Sequence, residues 1–251
     1  MYIVESYSLA VLFCFITMLC WGSWGNTQKL AAKSWRYELF YWDYVIGIVL
    51  FSVILGFTLG SIGEEGRSFL TDLQQADAKN IGSAIFGGIV FNAANILLSA
   101  SVSIAGLAVA FPLGVGLALV LGVVINYMGQ AKGDPVLLFI GVAFVVIAIV
   151  LNGIAAGKTQ QDSKSSRQGI ILAVVAGVLM AFFYRFVASA MDLENFAAPA
   201  IGKMTPYSAF FVFAIGILVS NFIFNTFIMR KPFVGKPVSY KEYFAGNARV
   251  H

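Results

Sequence analysis

Between Lys79 and Lys132 the chain runs through residues 80–131 without one charged side chain. A membrane-spanning helix takes about 20 mostly apolar residues, so this stretch is too long for one pass through a bilayer and right for two. Its turn is expected near SASVS, residues 99–103. Further apolar runs lie at 8–25, 39–60, 135–156, 168–190 and 206–229. Together they predict seven spans and an all-α, polytopic transmembrane helix bundle. Composition agrees: 59% of the 251 residues are hydrophobic and 11% are charged, where a soluble domain carries about 25% charged residues. The first run has no basic flank and no small-residue cleavage site, so it reads as a retained helix and not a leader.

Orientation follows from lysine and arginine counted loop by loop. Eleven of the 16 lie after the first, third, fifth and seventh runs, in Lys29–Arg36, in 158–168 (KTQQDSKSSRQ) and in the tail from Arg230. Four lie on the opposite side: Arg67, Lys79, Lys132 and Lys203. The bias predicts an external N-terminus, a cytoplasmic 158–168 loop and an external acidic loop with Glu64, Glu65, Asp72 and Asp77. The net charge of +4 is then a property of inside loops, and nucleic acid is not an expected partner.

Several chemistries drop out. Cys14 and Cys20 are six positions apart on one helix, pointing to different faces, so they neither bridge within it nor offer metal-ligand spacing. The single histidine is the terminal His251, which disfavours zinc hydrolases and histidine triads. GIAAGKT, residues 153–159, has three residues between its glycines where a phosphate-binding loop needs four, and no strand precedes it. It reads as a helix end, with Gly157 as cap and Lys158 among the headgroups. No cofactor, metal or enzymatic activity is expected.

Polar groups at membrane depth carry the rest. They are costly in lipid and usually face the bundle interior or a water-filled cavity. Asn92, Asn95, Ser99 and Ser103 fall at helical spacings of three and four, on one face. They suit either solute binding or helix–helix hydrogen bonding. In CWGSWGNTQ, residues 20–28, Trp21 and Trp24 can stack on a ring-shaped solute beside Asn26, or form an interfacial aromatic belt. Asp43 is the one carboxylate within an apolar run. It is either a proton-coupling group or a headgroup-zone residue paired with Arg36 or a neighbour. Arg185, in FFYRF, either snorkels to the outer interface or contacts the solute. Asn221 and Asn225, one turn apart, read as packing contacts.

The deepest apolar run also contains AVAFPLGVGLAL, with Pro112, Gly114 and Gly116 in five positions. Proline removes a backbone hydrogen bond and clashes with the preceding turn. Broken membrane helices survive where protein or water receives the freed carbonyls, and such breaks point to a transporter's binding site. An ordinary kink with glycine packing is the plainer reading. A weak internal echo, IGI at 46–48 and 215–217, fits a five-helix repeat whose second copy is inverted.

CWGSWGNTQK, RYELFYWDYVIG and the stretch FNAANILLSASVSIAGLAVAFPLGVGLALVLGVVINY resemble the drug/metabolite transporter superfamily, within it the ureide permease and glucose/ribose porter branches. The resemblance implies ten helices in two inverted halves, alternating access, and uptake of small polar solutes such as ureides, nucleobases or sugars, often driven by protons. On that plan residues 1–157 are the first five-helix repeat, 158–168 the central cytoplasmic loop and 169–251 the start of the second repeat, the chain being shortened after its seventh helix.

The expected function is proton-coupled uptake of a small neutral polar metabolite. Asn92 and Asn95 would bind it, Trp21, Trp24 and Asn26 would cover it, and the Pro112–Gly116 break would allow rocking. Arg185 is a further candidate contact and Asp43 the coupling candidate. Expected partners are the solute, protons, the lipid bilayer and further copies of the chain in a homo-oligomer; the expected location is a bacterial plasma membrane. Two other readings stay open: a multidrug or metabolite exporter of the same fold, and a non-transporting membrane scaffold.

Overall fold

A computed structural model describes residues 1–129, 131, 133–159 and 163–247. Lys132, Arg249 and His251, used in the sequence reading, lie outside the described residues, as does the 160–162 part of the central loop. The element order is α1 (Tyr7–Ala31), α2 (Tyr37–Phe57), α3 (Phe69–Gln75), α4 (Ala78–Ala105), α5 (Leu107–Gly129), α6 (Pro135–Thr159), α7 (Ser163–Ser189), α8 (Pro206–Arg230) and α9 (Tyr240–Phe244). Seven of them, all but α3 and α9, are long and apolar enough to cross a membrane.

The helix starts are written locally. Ser6 accepts the Leu9 N–H at 3.4 Å at the head of α1. Asp134 accepts the N–H groups of Val136 and Leu137 at 2.8 and 3.1 Å, and Pro135 opens α6, where its missing N–H costs nothing. Two expectations need correction. The long uncharged run turns at Gly106 and not at 99–103, which are helical in α4. Gly106 has φ +76°, a left-handed conformation that glycine adopts without a Cβ penalty. Gly157 lies inside α6, which continues to Thr159, so it does not cap the helix.

Burial sorts the spans. Half of the apolar window of α4 and of α8 is buried, against 6% for α1 and none for α6. Leu137, Phe144, Val150 and Leu151 stand exposed along α6. An apolar surface of that extent requires a nonaqueous neighbour, which a bilayer supplies.

The chain divides into two compact units. The first comprises Met1–Ile89 and Phe186–Ile223 together with Gly246 and Asn247. One cluster of its core is built on small side chains and one methionine, with Ala84, Ala190, Met204, Ala209 and Val212 buried together. Here α4 and α8 cross at glycine: a methyl on Gly88 would overlap the Phe213 carbonyl oxygen and lie 3.0 Å from Gly216 Cα, and one on Gly216 would overlap the Ile85 carbonyl.

The linkers at one end of this unit are tied by charge. Arg67 Nε donates to Asp72 Oδ1 at 2.8 Å, and its Nη1 and Nη2 donate to the carbonyls of Pro199 and Lys203, both at 2.7 Å. The second oxygen of Asp72 accepts the Thr205 N–H at 2.7 Å. Gln75 donates to Lys203 O at 2.8 Å and accepts from Gly202 N at 2.7 Å. Asp72 is therefore fully buried within the stretch read as an acidic loop: Arg67 and the backbone of the 190–205 linker supply what water would have.

The second unit comprises Val90–Arg185 and Phe224–Ala245. Phe91 of α4 packs edge-on against Phe183 of α7, centroids 5.0 Å apart. Ser101 donates to the Gly169 carbonyl at 2.7 Å. At the α5–α7 crossing a methyl on Gly177 would lie 2.6 Å from the Gly114 carbonyl oxygen.

Candidate functional site

The candidate residues fall into two sets. Trp21, Trp24, Asn26 and Asp43 belong to the first unit; Asn92, Asn95, Pro112, Gly114, Gly116 and Arg185 belong to the second.

In the first unit, Trp21 and Asn26 are exposed on α1. Trp24 is half-buried, its ring 5.6 Å from that of Tyr44, which packs 5.6 Å from Tyr41. Helical geometry separates Trp24 from Asn26, two positions along and so on different sides. The Asp43 carboxylate accepts a hydrogen bond from Trp35 Nε1 at 3.0 Å. Arg36 grips Glu38, with Nε 3.1 Å from Oε2 and Nη2 paired to Oε1. Glu38 is fully buried. It stands one residue before the apolar run that begins at 39, so sequence reading passed over it. An arginine two positions earlier was the available signal, because a bidentate partner stabilises a buried carboxylate.

In the second unit, α4 presents Asn92, Asn95 and Ser99, all essentially inaccessible to solvent, while Ser103 is exposed. Asn95 Nδ2 is buried with no hydrogen-bond partner. A buried polar group left unsatisfied costs about 1–3 kcal/mol. Asn95 is thus primed to give a hydrogen bond.

The Pro112 stretch is less disrupted than its composition suggests. Pro112 is the sixth residue of α5, and the helix continues through it. Its neighbours are packing positions. A methyl on Gly114 would lie 2.6 Å from Leu98 Cδ1, and one on Gly116 would lie 2.7 Å from Ile149. Small residues let membrane helices approach closely. Arg185 is exposed, and its Nη1 reaches toward the Ile125 carbonyl at 3.5 Å, beside Gly129. That places a cation among the last carbonyls of α5, where the helix dipole favours it.

Sequence reading undervalued Asn221. It is fully buried on α8, and neither its Oδ1 nor its Nδ2 has a hydrogen-bond partner. The only sequence signal was an amide deep in an apolar run. Among the described residues no group of three or more histidines, cysteines, aspartates or glutamates is placed to hold a metal. Cys14 and Cys20 are exposed free thiols on α1.

Seven helices among the described residues, long and apolar enough to cross a membrane, define a polytopic integral membrane protein. The chain belongs to the ureide permease family, whose model matches residues 40–168, just over half of it. Ureide permease 1 of Arabidopsis thaliana is 24% identical over 300 aligned positions, covering 97% of this chain and 77% of the relative. Ureide permease 3 of the same plant is 25% identical, with 97% and 79% covered. Ureide permease 5 reaches 30% identity over 65% of this chain and 41% of its own length. No solved structure matches the chain.

Proposed function

We propose that the chain is a membrane carrier for a small neutral solute bearing an amide or urea group, a ureide or a nucleobase, with sugars a more distant solute class. The observation that carries this is the buried pair Asn92 and Asn95 on α4, the latter with an open Nδ2, in a chain of the ureide permease family. A carboxamide offers both a donor and an acceptor, which matches an N–H beside a C=O. In this reading Asn92 and Asn95 hydrogen-bond the solute.

Transport proceeds by alternating access and is driven by protons. Asp43 is the proton carrier, its half-buried carboxylate held by Trp35. The fold kinship is with the drug/metabolite transporters. The chain sits in a bacterial plasma membrane with its N-terminus outside, in line with the lysine and arginine bias, and self-association is compatible with its exposed apolar faces.

The test is uptake of labelled hydantoin, uracil and glucose into proteoliposomes holding the purified chain, with and without an inward proton gradient. Saturable uptake of hydantoin or uracil, accelerated by the gradient and weakened by Asn95→Leu, is the expected result. Asp43→Asn should abolish accumulation while sparing exchange. No uptake of any of the three would sink the carrier reading. Undiminished accumulation in Asp43→Asn would remove that residue from coupling. Labelling of Lys236→Cys from outside intact cells, in a Cys14→Ser/Cys20→Ser background, would overturn the orientation.

A further inference from the structure

Two amides within the helices of this fold find a local acceptor. Asn126 Nδ2 donates to the Gly122 carbonyl one turn back at 2.7 Å, and Asn152 donates to Ala148 at 2.8 Å. Ser220, next to Asn221, does the same with the carbonyls of Gly216 and Ile217, at 2.8 and 3.0 Å. This back-bonding is the usual way a polar side chain settles in a helix interior.

Asn221 goes further than Asn95, whose Nδ2 alone is open. The Ile217 carbonyl stands one turn behind it, yet the amide does not use it, and both of its polar atoms are buried without partners. It lies well inside the apolar span Pro206–Arg230, where water is scarce and a leucine of nearly the same shape would pack without the desolvation cost. A residue that only filled space there would not need an amide.

We propose that Asn221 is a solute contact that reads an N–H/C=O edge, its Oδ1 accepting from the solute N–H and its Nδ2 donating to the solute carbonyl. The proposal rests on the chain being a carrier and assigns a recognition role to the part of α8 that lies in the first unit. A cis-amide or urea edge satisfies both halves of the carboxamide at once, whereas an aliphatic hydroxyl meets only one well. Sites built to hydrogen-bond a substrate discriminate strongly against analogues that lack the matching group.

The experiment compares wild type, Asn221→Leu and Asn221→Ser in proteoliposomes, with labelled hydantoin and with its fully N-methylated analogue, which keeps the ring and carbonyls but has no N–H. The expected result is a rise of about tenfold or more in KM for hydantoin in Asn221→Leu, with maximal velocity changed much less. The wild-type preference for hydantoin over the methylated analogue should narrow in parallel. Asn221→Ser, whose hydroxyl is too short to span the edge, should behave similarly and stands in if the leucine variant is not recovered folded. An unchanged KM and an unchanged preference, even with higher thermal stability, would make Asn221 a purely structural amide and overturn the proposal. No hydantoin uptake by wild type would instead overturn the carrier reading, and this proposal with it.

Discussion

The first unit crosses α4 with α8 at Gly88 and Gly216, and the second crosses α5 with α7 at Gly114 and Gly177. The two differ in how much they can give. In the first, a methyl on either glycine runs into the partner helix's backbone. In the second, a methyl on Gly177 runs into the Gly114 carbonyl, but one on Gly114 first meets Leu98 Cδ1, the end of a side chain that can rotate away, with the Ala173 carbonyl at an ordinary 3.4 Å. The first unit also has its linkers locked by Arg67 and Asp72. Rigidity is therefore concentrated in the first unit, while the second, which carries Asn92 and Asn95, has the more yielding crossing.

The most damaging test of that contrast is Arg67→Ala. It leaves the Asp72 carboxylate buried without its cation, and breaking a buried pair costs about 3–5 kcal/mol. Thermal unfolding in detergent should fall accordingly, and proteolysis of the 190–205 linker should accelerate. Unchanged melting would mean the linker network is not what stiffens this unit.

Glycine replacements sharpen the comparison. Gly216→Ala should destabilise by about 1–3 kcal/mol, Gly177→Ala toward the lower end of that range, and Gly114→Ala less still as Leu98 rotates. Gly47, in the same IGI pattern as Gly216, has open space where its methyl would go. There alanine should be neutral or stabilising by about 0.5–1 kcal/mol. If Gly47→Ala and Gly216→Ala cost the same, the close crossing is not the cause.

Pro112→Ala probes the yielding side. It returns a donor to the Ala108 carbonyl, one turn back, and should raise stability by up to about 3 kcal/mol, less whatever packing has adapted to the proline. If the α5 stretch must flex, uptake should slow in the same variant. Wild-type uptake would make Pro112 a tolerated residue near the start of a helix.

The smallest effect is expected at Asp192. Its carboxylate accepts backbone N–H groups from Ala200, Glu194 and Asn195 at 3.1, 3.2 and 3.3 Å. These bonds, Ala200's above all, hold its pKa below the usual carboxylate value. A lowered native pKa gives stability that is present above the ordinary value and is lost as pH falls through the lowered one. Asp192→Ala should flatten the acidic limb of the stability profile slightly; an identical profile would show that the linker does not depend on these bonds.

The spans were legible because lipid imposes a local rule. Runs at 135–156 and 206–229 need only length and apolarity to be helices, and they coincide with α6 and α8 within a few residues. Asp134–Pro135 announced the start of α6 by the same local chemistry. What sequence could not supply was pairing between distant segments. The burial of Asp72 by Arg67 and Thr205 and the choice of Trp35 as a partner for Asp43 are both set by such pairing. Asn95 read as a solute or helix contact and Asn221 as packing; only their surroundings show which polar atoms go without a partner. Gly47 and Gly216 read alike in sequence, and the approach of a second backbone, a purely tertiary event, is what makes one of them indispensable.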